Sequence, residues 1–263
     1  MRNSFVSPII EFFKYRELIW YQVKAEFKQK HFQKALGPLW WFLEPLLMST
    51  VFVFFTTILF KQTFGEHQVI IIIMVTLIWR WFSRSLENAP GLLLSFQTEL
   101  KRTNLPLLPL IFSNVITELM FFGFGLLVII GGALVSGVHV TENIAYLPLL
   151  VLLQFFMTIS LVTFFAKYGL LFRDLGQILW MFIQVWFFAS PGIYSENLVP
   201  VNWQWLYQIN PFATIFPAWR NILIYGTPPN LINIGIWFAV FVPLALLGLR
   251  ALQKGRGEFY KRL

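Results

Sequence analysis

Four ionisable residues stand inside apolar sequence: Glu44 in WWFLEPLLM, Arg80 and Arg84 in LIWRWFSRS, and Glu118 in SNVITELMFF. On insertion scales a charge at mid-membrane costs about 2.5–3.5 kcal/mol, so each of them needs a partner or water. Arg80 and Arg84 are one helical turn apart on a shared face. At ~1.5 Å per residue, Arg84 lies ~23 Å from the outer end of its apolar run and Glu44 ~9 Å from the inner end of its own, which is one level in a ~30 Å core. The same reckoning matches Arg80 with Glu118. The expected pairs are Arg84–Glu44 and Arg80–Glu118, with Glu87 competing for Arg84 at i+3. Phosphate is the other chemistry open to these arginines, because a guanidinium presents a bidentate fork. Pairing is favoured, since there are enough carboxylates to neutralise both.

Other chemistries lack their residues. The chain has no cysteine, which excludes disulfides and thiolate metal sites. It has no GxxxxGK[ST] loop for phosphate-loop ATP binding, no HExxH and no GxSxG elbow. No resident metal or cofactor is expected. The histidines, His31, His67 and His139, are spread over loops and interfacial segments. Glu66, Glu142 and Glu196 are too scattered to make a carboxylate pair for sugar hydrolysis. An integral-membrane enzyme is disfavoured, though it stays as an alternative.

The elements that must hold these residues are membrane spans. Of 263 residues, 57% are hydrophobic and only 12% charged, whereas a soluble domain is nearer a quarter charged. A span needs about 20 apolar residues. Six runs are read as spans: Leu39–Phe60, Val69–Ser95, Leu105–Val135, Ile144–Phe165, the shorter Ile178–Ser190 and Leu231–Leu252. The third is expected to be interrupted by Gly123, Gly125, Gly131 and Gly132. Six spans put both termini on one side, and the cations choose it. Lys14, Lys24, Lys28, Lys30 and Lys34 precede the first span. Lys101 and Arg102 follow the second, Lys167 and Arg173 the fourth, and Lys254, Arg256, Lys261 and Arg262 the sixth. Lys61 and Arg220 stand opposite. By the positive-inside rule, both termini are cytoplasmic. The basic surplus is thereby assigned to orientation, and no nucleic-acid partner is expected. No secretory leader pattern is visible, so the mature chain is expected to begin near Met1.

Residues 1–37 read as an amphipathic helix. Ile9, Phe12, Phe13, Trp20, Val23 and Phe27 take one face, and Lys14, Glu17, Lys24 and Lys28 the other, with Arg16 intruding on the apolar stripe. Such a helix lies in the membrane interface among lipid headgroups or packs on a partner subunit, and the two readings are equally open. Residues 38–252 are expected to form the six-span bundle as a single domain, and 253–263 a cytoplasmic tail. Between the fifth and sixth spans, Pro191, Pro200, Pro211 and Pro217 are expected as helix breaks. Short re-entrant helices rich in Trp and Tyr should dip into the outer leaflet there. The fold class is therefore all-α integral membrane.

The stretch FKQKHFQKALGPLWWFLEP, Phe27–Pro45, resembles the first-span entrance of polysaccharide-exporting ABC transporter permeases, matching at Leu36, Gly37, Trp40 and Pro45. LFRDLGQ (Leu171–Gln177) resembles the family's Phe-Arg-Asp turn before the fifth span. SPGIY (Ser190–Tyr194) resembles the outer end of that span, Asn210-Pro211 the external re-entrant region, and NLPLLPLIFSNVITEL (Asn104–Leu119) the entry to the third span. The set covers nearly the whole chain in the family's order. It implies a homodimer with two copies of a separate cytoplasmic ATPase, which carries the ATP and Mg. The implied cargo is a lipid-linked polysaccharide (O antigen, capsule or teichoic acid), moved across the bacterial inner membrane. Coupling to the ATPase would fall on Glu99, Lys101, Arg102 and Asn104, with Arg173 and Asp174 on the same side. The plainer reading of these charges is orientation and solubility.

Within that resemblance the aromatics acquire a use. A sugar ring has a CH-rich face on which an aromatic ring stacks without fixing one hydroxyl pattern, so such contacts let a polymer slide. Trp40 and Trp41 at the cytoplasmic mouth, and Trp180, Gln184 and Phe187 on one face of the fifth span, are the candidate path. Interfacial anchoring and core packing are the competing roles. The phosphate reading of Arg80 and Arg84 would become a contact with the substrate pyrophosphate. A different lipid or small-molecule cargo in the same fold is the remaining alternative.

Overall fold

The computed structural model describes residues 7–29, 37–59, 61, 67–103, 105–139, 141–172, 174–194 and 199–254. These residues are helical with no strand among them. The helices are α1 (Ser7–Lys14), α2 (Arg16–Gln29), α3 (Trp40–Val53), α4 (Gln68–Ser95), α5 (Gln97–Arg102), α6 (Leu107–Val135), α7 (Leu147–Gly169), α8 (Leu175–Phe188), α9 (Trp205–Gln208), α10 (Phe212–Arg220) and α11 (Leu231–Lys254). Four stretches are long and apolar enough to cross a membrane: Gln68–Arg102, Leu107–Val135, Glu142–Gly169 and Leu231–Lys254. Two shorter apolar helices, Leu46–Leu59 and Leu175–Phe188, accompany them.

α4 is the hub. It packs against α3, α6, α7 and α8, while α11 lies along the far side of α7. Its residues explain the position: Ile71, Ile72, Met74, Val75, Ile78, Trp81, Phe82 and Leu86 are apolar around the whole circumference, and all are buried. α6 runs unbroken through the glycines expected to interrupt it, with Gly125 and Gly132 set against Leu77 and Ile70 of α4. Small residues at such crossings let membrane helices approach closely.

Polar side chains fasten the helices where lipid offers no alternative. Gln154 of α7 donates to the Ile78 carbonyl at 2.8 Å, and Asn114 of α6 donates to the Ser85 carbonyl at 2.9 Å. At the start of α4, Gln68 donates to Thr56 and Thr57 at 3.0 and 3.1 Å. Those threonines lie in a π-helical turn, Phe54–Leu59, that extends α3.

The N-terminal helices depart from the single amphipathic helix expected. The chain breaks at Tyr15, and α1–α2 lies along α6. Phe12 packs edge-on to Phe112 with ring centroids 4.8 Å apart, and Phe27 stacks on Phe121 at 4.6 Å. Ile19 and Val23 are buried between these anchors, while Ile9, Phe13 and Trp20 remain exposed. The expected apolar face is thus divided. Residues 12, 19, 23 and 27 recur every third or fourth position and cover α6, and 9, 13 and 20 sit a turn-phase away.

Pro217 corrects another expectation. It sits inside α10 rather than ending it, and the helix passes into a π turn, Asn221–Tyr225.

Candidate functional site: a shared carboxylate and an aromatic face

One carboxylate gathers the charges of α3 and α4. Arg80 donates to Glu44 Oε2 at 2.9 Å, and Arg84 donates to Glu44 Oε1 at 2.5 Å. Arg84 also reaches Glu87 at 3.5 Å. The distribution expected from sequence is corrected on one point, since Arg80 turns to Glu44 and the two arginines share a single carboxylate. The i, i+4 spacing puts both guanidiniums on the same side, and an Arg stem is long enough to span one turn. Glu118 is buried on α6.

The cluster is not enclosed. The Glu44 side chain is 39% exposed and that of Arg84 45%. Lipid cannot be what covers such ions, so this face of α3 and α4 turns toward water or another subunit. Glu44 and Glu87 on these helices match the two guanidiniums one for one. That balance leaves little positive field for an anion and weighs against the phosphate reading.

Beside the cluster lies a thinly covered aromatic face. On α8 only Leu179, Ile183 and Phe187 are buried, whereas Trp180, Met181, Phe182, Val185 and Phe188 are exposed. On α3, Trp40, Leu47 and Val51 are likewise exposed, as are Phe54 and Phe55 of the π turn that follows it. Of the candidate path residues, Trp40, Trp180 and Gln184 lie on the free surface of the protomer. Phe187 does not, because it falls with Leu179 and Ile183 on the buried side of α8, where its ring sits against Phe52 and Trp79 at centroid distances of 5.2 and 5.3 Å. The side chain of Trp41 lies outside what is described.

The outer end of α8 is tied to α10 by Asn210, whose sequence signal was a dipeptide motif without a role. Asn210 Oδ1 accepts from Trp186 Nε1 at 3.1 Å and from the Phe212 amide at 3.0 Å. Its Nδ2 donates to Ser190 Oγ at 3.0 Å and to the Ala189 carbonyl at 3.3 Å. This amide caps α10 and closes the end of α8 together. Phe212 then packs on Trp79 and Phe82 at 4.7 and 4.9 Å. Trp79 is about 16 Å along α4 from Gln68 at ~1.5 Å per residue, so α10 starts well inside the bundle.

Tyr207 donates to the Tyr194 hydroxyl at 2.9 Å, and Tyr194 donates to the Phe188 carbonyl at 3.1 Å. Burial, then the Tyr207 hydrogen bond, pushes the Tyr194 phenol far above its usual value. A raised acid pKa favours the neutral folded form, so the contribution is complete below about pH 10 and is lost only as pH rises above it. Tyr194→Phe is therefore expected to lower thermal stability by about 1 kcal/mol equally at pH 6 and pH 9, read by unfolding in detergent.

At the opposite end, the segment expected as a polar loop contains α5. Glu99, Lys101 and Arg102 are exposed, and Leu100 between them is 1% exposed, pinning the helix to the bundle. Asp174 precedes α8 and is exposed. Asn104 and Arg173 lie outside the described residues. Among the described residues, no group of three His, Asp or Glu could hold a metal ion.

Polar groups inside apolar helices were the signal that sequence reading passed over. Asn88, Asn114 and Gln154 each stand in an apolar run, and Gln68 at the edge of one, where an unsatisfied amide is costly.

A bundle of apolar helices long enough to cross a membrane, with a charged seam between two of them, marks an integral membrane protein, and comparison with known proteins gives its kind. Residues 17–224 match the family described as ABC-2 type transporter, and the chain belongs to that family. It is an integral membrane protein. The chain is 25% identical over 237 residues to the O-antigen export system permease protein RfbA of Klebsiella pneumoniae, covering 89% of this chain and 90% of that one. It is 26% identical over 256 residues to the protein of the same name from Myxococcus xanthus, covering 97% and 98%.

Proposed function

We propose that the chain is the membrane-spanning subunit of an ATP-driven exporter of a lipid-linked polysaccharide, O antigen first among the candidates. The observation that carries this reading is the similarity along nearly the full chain to permeases named for O-antigen export. Six crossings fit the helices. α3 with its π turn runs from Trp40 to Leu59, close to 30 Å at ~1.5 Å per residue. α4, α6, α7 and α11 supply four more. α8 is the remaining one, short for a span, and the buried, re-entrant α10 fills the bundle beyond it. Both termini are cytoplasmic, and the membrane is the bacterial inner membrane.

Two copies form the working unit with two ATPase subunits, which carry ATP and Mg. In this arrangement α5, with Glu99, Lys101 and Arg102, meets the ATPase, joined by Asn104 and by the Arg173–Asp174 turn. The half-exposed Glu44–Arg84 contact and the exposed Trp40, Trp180 and Gln184 face the polymer path, where rings guide the glycan without reading its repeat. Trp41 is assigned to the same path, and Phe187 supports its wall. Arg80 and Arg84 hold α3 to α4 in preference to gripping pyrophosphate.

The test is reconstitution. Membrane vesicles holding the chain with its ATPase should move a lipid-linked glycan in an ATP-dependent way, while the chain alone should neither hydrolyse ATP nor alter the glycan. Glycan remodelling by the chain alone would reverse the reading. With Lys101→Glu and Arg102→Glu combined, export is expected to fall at least tenfold while the permease still inserts and folds. Unchanged export would remove α5 from the coupling surface.

A further inference from the structure

At the cytoplasmic end, α4 and α7 touch backbone to backbone. Gly169, the last residue of α7, is buried against Pro90 of α4. A Cβ there would collide with the Pro90 carbonyl oxygen and stand 2.5 Å from its Cα and 2.7 Å from its carbonyl carbon. Backbone atoms cannot rotate aside as a side chain can, so the approach requires glycine.

Pro90 lies inside α4, where it has no N–H for the Leu86 carbonyl. Gly91 follows, and a Cβ there would meet nothing within 4 Å. A missing i→i−4 bond beside a glycine makes this the most compliant point of the helix. The contact with α7 is therefore made where α4 bends most readily.

Two cytoplasmic turns meet across this contact. Below Pro90, α4 ends at Ser95, the chain breaks at Phe96, and α5 follows with Leu100 sealed into the bundle. Beyond Gly169, the amides of Leu171 and Phe172 both donate to the Tyr168 carbonyl, at 2.9 and 3.1 Å, and the chain turns into α8. α5 and α8 are distant in sequence, and this backbone contact joins the two helices that lead into them at a point that has no rotamer to absorb a push.

We propose that Gly169 seated on Pro90 is the pivot by which a displacement of α5 is passed to α8. This rests on the reading that α5 meets an ATPase. Gly169 and Pro90 are positioning residues that touch neither nucleotide nor glycan. A rigid pivot makes α5 and the start of α8 move as one body, while α11, beyond α7, does not follow.

The chain has no native cysteine, so pairs of spin labels can be placed cleanly. Thr98, Gln177 and Ile232 are exposed on α5, α8 and α11. In the assembled exporter, adding ATP with vanadate should leave the Thr98–Gln177 distance distribution unchanged and shift Thr98–Ile232. A shift in Thr98–Gln177, or no shift in either pair while ATP still drives export, overturns the pivot. If ATP drives no export in the parent complex, the functional reading fails first and the pivot falls with it. Gly169→Ala supplies a second readout. Export per ATP hydrolysed should fall at least tenfold with the ATPase rate within twofold of the parent, and Pro90→Ala, which stiffens α4, should also lower the ratio. Normal export per ATP in Gly169→Ala overturns the proposal. If that variant fails to assemble, the label distances decide.

Discussion

Glu44→Ala is expected to produce the largest loss of export among changes outside the pivot. Glu44 is the shared acceptor of Arg80 and Arg84, so its removal takes away the 2.9 Å partner of Arg80 and leaves Arg84 with the longer 3.5 Å contact to Glu87. Solvent reaches part of this cluster, which lowers the cost relative to a sealed ion pair. About 2–3 kcal/mol of stability should be lost, in the range for hydrogen bonds to charged groups. α3 should detach first, because the inner contact with α4 would be gone while the outer one, Gln68 with Thr56 and Thr57, persists. Thermal unfolding in detergent and glycan export measure the two consequences. The exchange of charges, Glu44→Arg with Arg84→Glu, is diagnostic. Recovery of export lost in either single variant means the pair is structural, whereas no recovery, with both chains folded, returns Arg84 to the substrate.

Asn210→Ala should be nearly as damaging, for a different reason. The amide satisfies Trp186 Nε1 and the Phe212 amide and donates to Ser190 and to the Ala189 carbonyl. An unsatisfied buried donor costs about 1–3 kcal/mol, and alanine leaves two of them. A loss of about 3 kcal/mol is expected, with α10 loosened at its N-terminus. Asn210→Asp keeps the acceptor and loses the donor, so it should fall between parent and alanine. Equal stability of Asn210→Ala and the parent would mean that the capping geometry carries no energy.

These two sites differ in how they could be read in advance. Arg84 and Glu44 could be brought to one level by counting residues from the span ends, because helix rise is constant and the bilayer sets the ends. The same counting matched Arg80 with Glu118, yet Arg80 reaches Glu44. Level is a chain property, whereas the choice among carboxylates at one level depends on how the helices are rotated about their axes. Asn210 was legible only as part of a dipeptide, since three of its four partners, Trp186, Ala189 and Ser190, lie 20 to 24 residues earlier in the chain and meet it only after folding. Phe187 shares a face with Trp180 and Gln184 on an isolated helix, but it borders the side that Leu179 and Ile183 turn to the bundle, and packing against Trp79 draws it into the core.

The amino-acid sequence alone determined the helical class and the positions of the apolar runs within a few residues. Each follows from local composition against a bilayer of given thickness. Tertiary structure alone decided that α1–α2 lies along α6, that α10 is buried among Trp79, Phe82 and Phe122, and that Gly169 rests on Pro90. Those are contacts between distant segments, set by crossing geometry and by which faces remain to be covered, and no window of sequence contains both sides of them.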